Sequence, residues 1–313
     1  MNSASAGFDT SAYTTSFAIV SGGRIIADKR ALLEVPEGSR GLRQSEAVFA
    51  HVRNMRAFFS ETNCFGDICA VAYSEKPCPT QSSYMPVFCV GASHAAAFAG
   101  ALGLKLYPMT HQHGHLYAAF FGNDVPDGEY GALHVSGGTL DLLRVSVEGG
   151  LIGSIDTLGG SADITCGQLI DRIGVAAGLP FPAGPAMETL YRPGANRLAV
   201  HVDGLRANLS GAETQGLKRL AEGEDASAVC SAVFDCVAET LGRLVGHAAS
   251  SMGLSRFIMT GGVIAGSVIR AHIIDICQSI GIECVLAQRQ YCGDNACGLA
   301  LAAERLHEKG VSP

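Results

Sequence analysis

Short apolar runs broken by glycine-rich turns alternate along the chain with longer stretches whose apolar positions recur every three or four residues. Ser16–Val20, the turn Ser21-Gly22-Gly23 and Arg24–Arg30 predict strand, turn, strand. The same order returns at Ala132–Val135, Ser136-Gly137-Gly138 and Thr139–Val145. Apolar residues at 48, 49, 52, 55, 58 and 59 predict a helix over Ser45–Phe59. Ile68–Tyr73 then predicts a buried strand, Ala92–Leu102 an alanine-rich buried helix and Leu104–Tyr107 a short strand. In the second half the pattern predicts helices over Ala228–Ser250, Ser267–Ser279 and Asn295–Leu306, with strands at Phe257–Met259 and Cys284–Leu286.

A hairpin followed by alternating strands and helices, met twice, predicts a duplicated α/β architecture. The actin-like ATPase (ASKHA) fold is built this way, as two similar subdomains with a nucleotide in the cleft between them. The expected division is residues 1–107 and 108–313, the final helix packing back toward the N-terminal half. Two Gly-Gly turns are weak support by themselves, because surface hairpins use them routinely.

Composition narrows the class. Hydrophobic residues make up 48% of the 313 positions and charged residues 16%, which excludes a disordered chain. The net charge of −7 does not suit a free-standing nucleic-acid binder, which carries a basic balance or stripe. Met1–Thr10 has neither a cationic start nor an apolar run, so no signal peptide is expected there. The longest apolar run, Ala95–Leu104, is too short for a bilayer, which takes about 20 residues. Of the eleven cysteines, none in a C-x-x-C pair, most are expected to act as small core residues, and the odd count suits a reducing cytoplasm.

The sharpest chemical signal is His111-Gln-His-Gly-His115. On a helix His111 and His115, four residues apart, share one face, the spacing of two ligands to one divalent metal, while His113 points away. Unrelated histidines at a polar helix start would give the same pattern. No Glu stands at 112, so the metalloprotease motif with its general base is absent. Asp294, in Cys292-Gly-Asp-Asn295, is the candidate third ligand; Asp294 or Asn295 would also cap the last helix. Neither a P-loop nor a G-x-S-x-G nucleophile elbow occurs.

Taken together, these residues resemble the TsaD family of tRNA threonylcarbamoyladenosine transferases, formerly called O-sialoglycoprotein endopeptidases. His111-Gln-His-Gly-His115 resembles the family's His-x-Glu-Gly-His, and Val135-Ser-Gly-Gly138 its phosphate turn. Leu158–Asp163 with Gly167–Asp171, Gly178–Pro185, Asn208–Gly211, Thr260–Val263 and Cys292–Asn295 follow in family order. The resemblance implies the actin-like fold and one divalent ion, iron or zinc, on His111, His115 and Asp294. It also implies an adenine nucleotide held by Ser136, Gly137, Gly138, Asp171, Gly184, Gly262 and Gly266. Backbone N–H groups of a glycine-rich turn form an anion nest, and a carboxylate accepts ribose hydroxyl protons, so the implied set is chemically consistent.

The chain departs from the family pattern in places. Tyr13 stands where the family's Asp-Glu-Thr carries an Asp thought to act in transfer. Thr139 replaces a His, Gln168 a Glu and Gly266 an Asn; Lys76-Pro-Cys-Pro79 replaces Gly-Pro-Gly, and Gly41–Glu46 replaces Ala-Ser-Arg-x-His. The sequence therefore reads as a divergent paralogue. It is either a threonylcarbamoyl transferase acting on tRNA or a non-catalytic scaffold for a true family member, and protease activity is not expected. The expected partner is a TsaB-like or other homologue, or a second copy of the chain; tRNA contact is not supported by the charge, and no membrane association is expected.

Overall fold

The computed structural model describes residues 4–34, 42–62, 67–80, 83–194 and 196–313; Gly41 and Cys64 lie outside them. In chain order the elements are β1 (Ala4–Thr10), β2 (Thr14–Ser21), β3 (Arg24–Leu32), α1 (Gln44–Glu61), β4 (Ile68–Lys76), α2 (Phe88–Leu102), β5 (Lys105–Thr110) and α3 (His111–Ala118). Then come β6 (Gly128–Val135), β7 (Leu140–Glu148), β8 (Leu151–Ser161), α4 (Cys166–Ala176), α5 (Gly184–Leu190), β9 (His201–Asp203), β10 (Arg206–Asn208) and α6 (Ser210–Ala221). The last are α7 (Ala226–Met252), β11 (Arg256–Thr260), α8 (Gly262–Ala265), α9 (Ser267–Ser279), β12 (Glu283–Leu286), α10 (Arg289–Cys292) and α11 (Cys297–Glu308). No described helix is long and apolar enough to cross a membrane.

The chain forms two compact units. The first comprises Met1–Asp124, Gly149–Ile152 and Asp294–Pro313, the second Val125–Glu148 and Gly153–Gly293. The division expected at 107/108 therefore falls later, after Asp124. The reason is that α3 packs on β4, β5 and α11, all elements of the first unit.

The first unit is a five-stranded sheet in the order β3-β2-β1-β4-β5. Its central strand, β1, is buried at every position, although the sequence pattern does not predict it. The strand Ala-Ser-Ala-Gly-Phe-Asp-Thr carries one large apolar side chain, so neither alternation nor a long apolar run marks it. That side chain, Phe8, pairs across the ladder with Phe17, ring centroids 5.0 Å apart, and Met55, Phe58 and Val90 complete the core on this side. On the other side α11 lays Leu299 and Ala303 against Ala70, Ala72 and Tyr107. The small residues of β1 allow this approach: a Cβ on Gly7 would come within 2.3 Å of the Ala296 carbonyl.

The second unit's sheet runs β12-β11-β6-β7-β8-β10-β9. Each sheet thus holds three strands joined by consecutive hairpins, followed by two parallel strands reached through helices, which is the duplication expected. Its register differs from the sequence reading. β1, β2 and β3 correspond to β6, β7 and β8, so the turn at Ser136-Gly137-Gly138 matches Ser11-Ala12-Tyr13 and not Ser21-Gly22-Gly23. The Gly22-Gly23 turn is a two-residue hairpin turn with φ of 58° and 69°, the left-handed geometry glycine tolerates. Repetition of Ser-Gly-Gly is therefore a coincidence of turn chemistry laid over a true repeat.

Candidate metal centre and nucleotide turns

α3 begins where β5 ends. Thr110 caps it, its hydroxyl accepting from the His113 amide at 3.3 Å, and His113 Nδ1 returns to Thr110 Oγ1 at 2.6 Å. Burial pushes the His113 pKa down to about 4, so this ring is neutral near neutral pH and serves the cap. With His113 occupied there, His111 and His115 stand one turn apart, their Nε2 atoms 3.1 Å from each other.

Asp294 arrives from the segment before α11. Its Oδ1 lies 3.5 Å from His111 Nε2 and 3.3 Å from His115 Nε2. The structure thus brings together the three residues singled out in the sequence, with their donor atoms within 4.8 Å of one another. The capping duty falls on the neighbour: Asn295 Oδ1 accepts from the amides of Cys297 and Gly298 at 3.0 and 3.4 Å. Asp294 is thereby released from the role of capping α11. Its second oxygen accepts the Ser11 hydroxyl.

Behind His111 stands a residue to which the sequence gave no role. Asp9, at the end of β1 and almost wholly buried, places both carboxylate oxygens 3.0 Å from His111 Nδ1 and accepts the Ser74 hydroxyl. A proton on Nδ1 directed at Asp9 leaves the Nε2 lone pair facing His115 and Asp294, the usual way a carboxylate fixes a ligating imidazole. Burial alone would lower the pKa of His111, but Asp9 and Asp294 outweigh it and raise it well above the ordinary value. Asp294, though burial opposes ionisation, is held well below the usual carboxylate range by His111 and His115. The cluster stabilises positive charge at its centre.

The donor set fits a divalent metal. Two imidazole nitrogens and a carboxylate oxygen suit zinc or ferrous iron. Bonds of about 2.1 Å meeting at tetrahedral or octahedral angles separate donor atoms by about 3.0–3.4 Å. The separations of 3.1 and 3.3 Å fall within that range and the third, 3.5 Å, just above it, close to one face of such a polyhedron.

The residues expected at the nucleotide lie in the second unit. β6 and β11 run parallel, Thr260 beside His134, so the turns at Ser136–Gly138 and Gly261-Gly262 leave the sheet side by side. α4 starts against the first turn: Thr165 Oγ1 donates to the Gly137 carbonyl at 2.8 Å, and a Cβ on Gly167 would lie 2.5 Å from Gly137 Cα. The same threonine caps α4, accepting from the Gln168 amide at 3.1 Å. Nothing stands within 4 Å of a Cβ built on Gly137, Gly138 or Gly262, so the turns present open backbone. Asp171 on α4 accepts from the Ala183 amide at 2.7 Å, tying down the start of α5, where Gly184 sits. Gly266 caps α9 beside Glu188, whose carboxylate accepts from Ser267 Oγ at 3.0 Å and the Val268 amide at 2.9 Å. Thr165, Gly167 and Glu188 are the residues here that sequence reasoning left without a role. Thr165-x-x-Gln168 has the capping-box spacing, which could have marked Thr165 as the start of α4, but the contacts of Thr165 and Gly167 with the Gly137 turn and of Glu188 with Ser267 and Val268 join residues distant in sequence.

Two sheets of matched topology with these sites define an actin-like protein, and comparison of solved structures agrees. The chain resembles full-length HypF in its phosphate- and nucleotide-bound form with a TM-score of 0.63 at 10% identity, covering 98% of this chain and 56% of HypF. It resembles the (R)-2-hydroxyglutaryl-CoA dehydratase component A of Acidaminococcus fermentans with a TM-score of 0.58 at 18% identity, covering 96% and 98%. A ROK family glucokinase from Streptomyces griseus gives 0.54 at 13%, covering 96% and 99%. The sequence profile of TsaD, tRNA N6-adenosine threonylcarbamoyltransferase, matches residues 52–301, and the chain belongs to that family. Proteins named tRNA N6-adenosine threonylcarbamoyltransferase from Polaromonas sp. strain JS666 and Bordetella petrii are 32% and 31% identical, over 71% and 79% of this chain. The match spans 66% of the first relative's length and 72% of the second's.

Proposed function

We propose that this chain is a TsaD-type transferase that binds one divalent metal, iron or zinc, and an adenine nucleotide, and passes a threonylcarbamoyl group to a tRNA adenosine. The observation that carries the reading is the convergence of His111 Nε2, His115 Nε2 and Asp294 Oδ1, in a chain of this family. The bound ion would supply Lewis acidity toward a carbonyl oxygen. Asp9 holds His111 in the ligating tautomer, and Ser11 takes the Asp294 oxygen that faces away from the histidines. The Ser136 hydroxyl and the open amides of Gly137 and Gly138 receive phosphate, the Ser136 amide closing the turn onto the Thr139 carbonyl at 2.9 Å and Thr165 fixing it, and Asp171 and Gly184 serve the ribose side. Gly262 and Gly266 border the base, where a side chain is missing relative to the family.

A second reading, a non-catalytic paralogue that scaffolds an intact family member, is favoured by one feature. Tyr13, 42% exposed, stands on the β1–β2 turn at the place of the family's acidic residue. A tyrosine, with an ordinary pKa of about 10, does not replace a carboxylate as a base near neutral pH. Either reading places the protein in the cytoplasm with a TsaB-like homologue, another family member or a second copy. At a net charge of −7, tRNA contact is assigned to the assembly more than to this chain. The test is threonylcarbamoyl-adenylate with unmodified tRNA, with and without such a partner. Transfer that needs the partner and is lost in His115→Ala supports the transferase. Absence of transfer in both arms, with stimulation of an intact family member, supports the scaffold.

A further inference from the structure

The β1–β2 turn, which brings Ser11 to Asp294, is gripped from α1 by residues outside the proposed ligand set. His51, wholly buried, uses both ring nitrogens: Nε2 is 2.9 Å from the Ser11 carbonyl and Nδ1 is 2.8 Å from Thr15 Oγ1. Asn54, on the same face of α1, donates from Nδ2 to Thr15 Oγ1 at 2.9 Å. The roles follow from chemistry. A carbonyl only accepts, so Nε2–H donates to Ser11. Nδ1 then accepts the Thr15 hydroxyl proton, and the Thr15 oxygen accepts from Asn54. The network is complete with a neutral imidazole, the state that burial favours for this ring. The turn is further closed by the Ser11 amide to the Thr14 carbonyl at 3.0 Å and the Thr14 amide to Ser11 Oγ at 3.1 Å. That arrangement aims the Ser11 hydroxyl proton at Asp294 Oδ2.

We propose that His51 is a positioning residue of the metal centre. By holding the Ser11 carbonyl it fixes the serine hydroxyl on one oxygen of Asp294, which keeps the other oxygen turned to His111 and His115. The inference rests on the metal reading above. It concerns a histidine on a different element from the His-x-x-x-His motif, reaching the centre through two intervening side chains.

The experiment is Zn2+ affinity of the full-length chain, measured by competition with a chromophoric chelator, for the wild type, His51→Ala, Ser11→Ala and the double variant. Each single change is expected to weaken binding by about 10-fold or more, the range for residues behind a ligand. The double variant is expected to be no worse than the weaker single, because the two act in series. His51→Gln, whose amide can donate to Ser11 and accept from Thr15, should recover part of the loss. It also supplies a second variant should His51→Ala fail to fold. Met55→Ala, a buried change one turn further along α1, separates positioning from general destabilisation: it should lower Tm and keep wild-type affinity. Multiplicative losses in the double variant, wild-type affinity in His51→Ala, or an equal loss in Met55→Ala would overturn the proposal. A wild-type protein that takes up no Zn2+ overturns the metal reading, and this one with it.

Discussion

A single buried carboxylate decides whether His111 can act as a ligand. Asp9 meets the ring with both oxygens, each 3.0 Å from Nδ1. Asp9→Asn keeps an acceptor but removes the charge, and metal affinity should fall about 10-fold; Asp9→Ala should lose up to about 100-fold. Metal content after dialysis against a weak chelator checks this, and unchanged content in Asp9→Ala would refute the role. The three proposed ligands were legible in the sequence for a physical reason. The i, i+4 pair is a local pattern, and Asp294 stands out in a short turn before a helix. Asp9 and Ser11 were not legible. They act across 102 and 283 residues, and at sequence level they are only polar positions at the end of a strand that itself shows no pattern.

Among the elements, α6 shows how a helix borrows its N-terminal partner. Leu209 offers no side-chain cap, and Asp163, 46 and 47 residues earlier, accepts from the amides of Leu209 and Ser210 at 2.9 and 3.0 Å. Burial opposes ionisation of Asp163, but the Ser210 hydroxyl and the amides of Leu209, Ser210 and Ile164 prevail and bring its pKa from 3.8 to about 2. A carboxylate whose pKa is depressed in the folded state contributes stability that is fully present above its unfolded value and is lost as pH falls through the folded one. The denaturation midpoint of Asp163→Ala should therefore lie below that of the wild type at pH 6. The gap should narrow as pH drops from 3.8 toward about 2. A gap independent of pH would mean that the carboxylate charge is not what holds α6. The turn beside α4 gives a second case. On Gly167 a methyl would meet Gly137 Cα at 2.5 Å and the Ser136 carbonyl at 2.6 Å. Gly167→Ala should weaken ATP binding, read by calorimetry, through displacement of that turn. Most elements could be read from periodicity. β1 could not, because burial by close approach of α11 selects small residues, and small residues carry little hydrophobic signal.

At the scale of the whole chain, the first unit is assembled from both ends of the sequence. Its proposed donors, with Asp9 and Ser11 set directly against them, come from residues 9–11, 111–115 and 294, so the centre is complete only when the C-terminal segment has docked. The contact that governs docking is between backbones. On Gly298 of α11 a Cβ would fall 1.9 Å from the Gly114 carbonyl and 2.7 Å from the Ala118 amide of α3, whose backbone has no flexible end to yield. Gly298→Ala must therefore move α11 away from α3. Overpacking of this kind costs about 1–3 kcal/mol. Asp294 lies one short turn ahead of α11 while His111 and His115 lie on α3, so the same displacement should open the donor triangle and lower metal affinity together with Tm. Gly100→Ala is the matched control in the same unit. It lies within α2 with nothing inside 4 Å of the added carbon, and replacing a helical glycine there should raise stability by about 0.5–1 kcal/mol and leave metal binding unchanged. Thermal melts with and without Zn2+ read both effects. If Gly298→Ala melts and binds as the wild type does, the close seating of α11 on α3 is not what brings Asp294 to the histidines.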